Sequence, residues 1–209
     1  MRELDALLSE LANLDAQHDL DGLRRVREEI VLAHDDAPAA VEAQYKIGLD
    51  LLFRERKLDA AVAKFEEAAK RKAPFWSDAA RTSLGLCYFH QQRTQKALLE
   101  LRKVAYADKA NAHSVTALTF IETIYESEGK HDEVKRVRKD RIAQLETLIK
   151  ATPGHELAAE RGYFLFQLGL AARDHGDDAR ATAALNEAKA LGPDGLGADL
   201  FGAVVAALR

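Results

Sequence analysis

The sequence predicts an all-α chain of stacked antiparallel helix pairs, and three observations predict it. Apolar residues recur at helical spacing, as in Leu58, Ala61, Val62, Phe65, Ala68 and Ala69, which share one stripe of a 3.6-residue period. Only four prolines occur, Pro38, Pro74, Pro153 and Pro193, separated by 36, 79 and 40 residues. Proline lacks the N–H that a helix interior needs, so it punctuates between helices. A glycine or polar cluster divides each interval again, at Arg54 to Lys57, Gln91 to Arg93, Glu128-Gly129-Lys130 and Asp174 to Asp177. Two helices per unit follow, with Lys109-Ala110-Asn111 standing where the longest interval lacks its proline.

Taken in order, the elements form one helical-repeat domain over residues 1–209. The pairs lie at about 2–35, 38–73, 76–108, 112–151 and 155–191, and a terminal helix at 195–208, eleven helices in all. In the third pair Ser77 reads as an N-cap with Trp76 before it as a hydrophobic staple. The second helix of the fourth pair runs from Asp132 to Ala151, a span of about 30 Å. Gly192 to Gly197 reads as a helix–helix turn: no strand precedes it and no Lys-Ser/Thr follows, as a phosphate cradle requires. In the terminal helix Leu196, Leu200, Val204 and Leu208 form a stripe for docking on the array, and Phe201 and Val205 widen it.

Aligning the units exposes a pattern. First helices carry a bulky residue beside a glycine: Ile47-Gly48, Leu84-Gly85 and Leu168-Gly169. Second helices carry small, large and small residues at fixed steps: Ala61, Phe65, Ala68; Ala97, Leu101, Val104; Ala181, Leu185, Ala188, followed by Pro193. A small residue lets two backbones approach while the large one fills the hole between neighbouring helices. The pattern resembles the tetratricopeptide repeat (TPR) family over about Val41 to Pro193, and more weakly over Leu4 to Asp35. One unit departs: Glu122 replaces the glycine, Val134 the first alanine, and Arg138 and Arg141 the large and small residues. The resemblance implies a TPR-like α-solenoid, a right-handed superhelix of about five pairs closed by a capping helix.

Composition narrows the function. Thirty basic against 34 acidic residues give a net charge of -4, and 47% of residues are apolar. That mixture suits a soluble repeat protein. A charged start, Met1 to Asp15, argues against a secretory signal, and no apolar run reaches about 18 residues, so membrane insertion is not expected and the expected location is cytoplasmic. Seven histidines (His18, His34, His90, His113, His131, His155, His175) include no pair at metal-binding helical spacing, and a single cysteine, Cys87, sits among apolar neighbours. No catalytic constellation, metal site or cofactor site is therefore expected. Charge is uneven: residues 1–40 hold 4 basic and 10 acidic residues, whereas 41–110 hold 14 and 9. The basic run from Lys130 to Arg141 is interspersed with acids, so a nucleic-acid partner is not expected.

What remains is a protein-binding scaffold without enzymatic activity. By resemblance to the family, first helices line a concave groove, whose wall in the earlier repeats is Tyr45, Leu49, Phe53, Leu86, Phe89 and His90. Thr119, Thr123 and Phe166 continue it in the later ones. The Lys/Asn/Arg clamp by which some family members hold a peptide carboxylate is missing here, since Tyr45, Leu49, Thr82 and Leu86 stand in its place. A protein or peptide partner is then expected to anchor by hydrophobic side chains. Two alternatives stay open: a small TPR-type chaperone for exported or aggregation-prone clients, and a homo-oligomer assembled through Phe201 and Val205 of the terminal helix.

Overall fold

The structure is a computed structural model that describes residues 2–152 and 157–208. Among the described residues the regular structure is all helical: α1 (Leu4–Ala16), α2 (Leu20–Ala33), α3 (Pro38–Leu49), a π-turn (Asp50–Arg54), α4 (Leu58–Ala69), α5 (Pro74–His90) and α6 (Thr94–Ala105). Then come α7 (Ala112–Ser127), α8 (His131–Ala151), α9 (Ala158–Asp174), α10 (Asp178–Ala190), α11 (Gly192–Leu196) and α12 (Ala198–Ala207). Pro153 and His155 lie outside the described residues. Two compact units divide the chain, Met1–Val104 and Ala105–Arg209.

Each unit is built by helices packing on their neighbours in the chain. In unit 1, α2 meets α3, α3 meets both α4 and α5, and α4 meets α5; in unit 2, α7 pairs with α8, α8 with α9, and α9 with α10. In three of the pairs the two helices are held by a lock between a small residue of the first and a large residue of the second. A Cβ added to Gly48 would stand 2.5 Å from the Phe65 ring, one on Gly85 2.4 Å from Leu101, and one on Gly169 2.6 Å from Leu185. Phe65, Leu101 and Leu185 are fully buried. Close approach of backbone to a large side chain is what those glycines allow.

Helix starts follow two chemistries. Pro38 and Pro74 sit in the first turn of α3 and α5, where the missing N–H costs nothing. At the start of α7, Asn111 accepts from the backbone N–H of Ser114 and Ser114 answers with a bond from the Asn111 N–H, a capping box in place of a proline. Two sequence expectations fail here. Ser77 does not cap α5, because Pro74 starts that helix three residues earlier. Ser77 is buried inside it, its hydroxyl donating to the Arg71 carbonyl at 2.8 Å. Gly192 to Leu196 forms the short helix α11, with Pro193 in its first turn, and the terminal helix starts at Ala198 after Gly197 at φ +76°.

Within every pair the turn passes through one left-handed residue: His18, Arg56, Gln92, Gly129 and Gly176. In four turns a backbone N–H reaches the carbonyl five residues back, as from Arg93 to Tyr88 at 2.8 Å. In the turn after α3 the bond runs from Lys57 to Leu51, six residues back. The π-turn there absorbs one extra residue, so that Phe65 follows Gly48 by 17 positions where Leu101 follows Gly85 by 16. Side chains with a Cβ are strained in this conformation by about 1–2 kcal/mol. Arg56→Gly and Gln92→Gly are accordingly expected to gain about 1 kcal/mol each, read as a rise of roughly 2–4 °C in melting temperature per substitution.

Candidate functional site

The departure in the pair formed by α7 and α8 decides where the exposed apolar surface lies. Glu122, where three of the other pairs have glycine, is buried and ion-paired to Arg138 and, at 3.3 Å, to Arg141. Arg141 also donates to the Thr119 hydroxyl at 3.2 Å and approaches Asp174 at 3.5 Å. Arg138 bonds Glu126 and the Asp174 carbonyl, the latter at 2.9 Å. A polar network has replaced the packing lock.

Position by position, this divides the expected partner-binding residues. Leu49 and Leu86 each follow the lock glycine by one residue, and Phe53 and Phe89 each precede the left-handed turn residue by three. In unit 1 all four are apolar: Phe53 on the π-turn is 67% exposed, and Leu49, Leu86 and Phe89 are half-buried. At the same repeat positions unit 2 places Thr123, Leu170, Glu126 and Arg173. There the polar groups are spent internally, Thr123 donating to the Thr119 carbonyl at 3.1 Å, Glu126 holding Arg138, and Arg173 donating to the Ala207 carbonyl at 2.6 Å. Phe166 is half-buried and packs against the core of unit 2.

Aromatic side chains extend the surface of unit 1. Tyr45 lies 5.8 Å from the Phe65 ring on one side and 5.8 Å from Trp76 on the other. Phe75 meets Trp76 edge-on at 5.0 Å and is half exposed. The Lys46 ammonium sits 5.9 Å over Trp76, in the range of a cation–π contact. His90 is exposed, its ring 6.3 Å from that of Phe89. Tyr45 is thus part packing and part surface, whereas Thr82, which stands at another of the clamp positions, is buried and bonded to the Asp78 carbonyl.

Other candidates yield little chemistry. Among the described residues no three His, Cys, Asp or Glu side chains gather as a metal would need, and no helix is long and apolar enough to cross a membrane. Cys87 is fully buried, and burial pushes its thiol up to about 11, leaving little thiolate at neutral pH. Labelling of Cys87 by a thiol reagent at pH 8 is expected to be slow in the native protein and immediate in denaturant; fast native labelling would show that α5 opens locally. At the far end, α12 docks on α9 and α10 with Val204 buried and Phe201 half-buried against the core of unit 2, and Val205 is half-buried. Sequence reasoning did not single out the cavity between α1, α2 and α3. Its signal was the pair Ala39 and Ala43, four apart on α3, facing leucines on α1.

No protein-family model matches the chain, nor does any curated protein. Solved structures do. The crystal structure of MamA is similar at 17% identity and a TM-score of 0.52, covering 90% of each chain. PilW, described as a widely conserved type IV pilus biogenesis factor, is similar at 15% identity and a TM-score of 0.53 over 96% of this chain and 81% of its own. A putative kinesin light chain from Podosopora anserina with nearly identical TPR-like repeats is similar at 14% identity and a TM-score of 0.52, over 95% of this chain and 100% of its own. Together with the lock residues of three of the pairs, these likenesses show the fold to be a TPR-like repeat of antiparallel helix pairs.

Proposed function

We propose that the chain is a non-enzymatic scaffold that binds a segment of another protein through the first helices of unit 1. One observation carries this reading: Leu49 and Phe53, on α3 and the π-turn that follows it, match Leu86 and Phe89 on α5 and keep partly exposed apolar surface, while the polar groups at those positions in unit 2 are consumed by internal bonds. Partly exposed apolar residues repeated in register on successive first helices, α3 and α5, which pack on one another, are the kind of surface that marks an interaction site. The absence of a cationic clamp at these positions favours apolar anchoring over capture of a carboxylate.

The test is capture of binding proteins by the full chain against the Phe53→Ala/Phe89→Ala double variant. Because Phe53 is largely exposed and Phe89 half-buried, the variant is expected to fold, and captured partner is expected to fall by at least about tenfold. Equal capture would move the binding surface elsewhere. Self-association through Phe201 and Val205 draws less support, since Phe201 packs inward. Sedimentation of the intact chain should give a monomer.

A further inference from the structure

A cavity of about 260 Å³ opens between α1, α2 and α3, wholly within unit 1. Leu8 and Leu11 of α1, Leu23 of α2, and Ala39 and Ala43 of α3 form its apolar walls, and Leu8 is 41% exposed at the edge. The volume lies just below the roughly 300–1,000 Å³ of sites for drug-sized ligands. It suits one bulky side chain, the kind of anchor on which protein interfaces concentrate their binding energy.

The mouth selects by charge. Both cations that line it are already neutralised: Arg27 by Asp50 at 3.0 Å, with little of either side chain exposed, and Lys46 by Glu42 at 2.7 Å. The remaining arginines before residue 40 are likewise engaged, Arg2 with Glu10 and Glu29, Arg24 with Glu28 and Glu55, and Arg25 with Glu10. Carboxylates outnumber them by 10 to 4 over residues 1–40. Asp15 at the mouth, together with Asp5 and Asp21 on α1 and α2, carries no ion pair among the described residues. The surplus field around the cavity is therefore negative, and it attracts a cationic partner.

We infer that the cavity between α1, α2 and α3 is an anchor site for a basic segment of another protein, which inserts one bulky apolar side chain flanked by Lys or Arg. The inference rests on the reading of the chain as a segment-binding scaffold, but it uses residues other than Phe53 and Phe89, so either can fail alone.

The probe is an amidated helical peptide of about 12 residues, built from Lys and Ala with one central Trp. Two companions replace the Trp by Ala or every Lys by Glu. Binding to the full chain is followed by the methyl resonances of Leu8, Leu11, Ala39 and Ala43. Saturable shifts with the Lys/Trp peptide are expected, and affinity at least about tenfold weaker for each companion. Ala39→Leu fills the cavity from a half-buried position and is expected to weaken the Lys/Trp peptide by at least about tenfold without lowering the melting temperature. Leu8→Ala removes an exposed wall and should act in the same direction, whereas Phe53→Ala/Phe89→Ala should leave this peptide's affinity unchanged. Equal binding of the Ala or Glu companion, indifference to both cavity variants, or no saturable shift by about 1 mM peptide overturns the assignment. So does dimerisation of the free chain that Ala39→Leu abolishes, since a second copy would then be the occupant.

Discussion

Replacing Glu122 by Ala is expected to cost unit 2 about 3–5 kcal/mol of unfolding free energy, the loss typical of breaking a buried ion pair from one side. Glu122 is 5% exposed and Arg141 6% exposed, so the carboxylate cannot be removed without leaving a guanidinium buried beside nothing that neutralises it fully. Glu126 and Asp174, the remaining acids, have half-exposed side chains and act through a more solvated path. The companion experiment rebuilds the lock that three of the other pairs use. Glu122, Arg138 and Arg141 match Gly85, Leu101 and Val104 of the preceding pair position by position. The triple substitution Glu122→Gly, Arg138→Leu, Arg141→Val should therefore be neutral or stabilising by about 1–4 kcal/mol, as when packed apolar groups replace a buried charge cluster. Urea unfolding decides both. A single substitution costing under about 1 kcal/mol would mean that the network behaves as a surface ion pair.

Phe65→Ala is the second large effect, with an expected loss of about 3–5 kcal/mol in unit 1. The ring is fully buried, rests against the Gly48 backbone and supports Tyr45 at 5.8 Å, so its removal empties the hole between α3 and α4 and loosens the aromatic surface above. Gly48→Ala alone should cost about 1–3 kcal/mol, because the added methyl runs into the ring. In the Phe65→Ala background the same methyl has room, and a coupling of about 0.5–3 kcal/mol is expected from the double-mutant cycle. Additive effects would show that glycine and ring do not form one unit.

Much of this architecture was legible in the sequence because its causes are local. Helical spacing, first-turn prolines and the glycine-plus-large-residue motif each report on one or two turns of chain, and Pro38, Pro74, Gly48, Gly85 and Gly169 stand where that logic places them. Asn111 was visible as a substitute for proline, and the structure supplies the reason in its capping box. Ser77 misled because its side chain suits a cap, yet a proline three residues earlier fixes the helix start more strongly than a hydroxyl can. The departures at Glu122, Arg138 and Arg141 were also visible, but not their mutual pairing, which depends on two helices meeting. The turn of the wall from apolar residues to Thr119 and Thr123 was visible in sequence, but its cause was not. Only the bonds of Glu126, Arg173 and Thr119 reveal that its later half is spent on holding unit 2 together. The cavity at Ala39 and Ala43 lies still further from local signals, since small residues on a helix leave a hollow only where the facing helix fails to fill it.

The bulge after α3 bears on how such a chain tolerates change in length. One surplus residue between Gly48 and Arg56 is taken up within a single widened turn, and the spacing of the next lock, Gly85 to Leu101, returns to 16. Insertions are thus quarantined: the error does not propagate down the array, because every hairpin sets its own register from its own contacts. The place that absorbed the surplus also pushes Phe53 outward, so a change in chain length that the fold could ignore has become a feature on its surface.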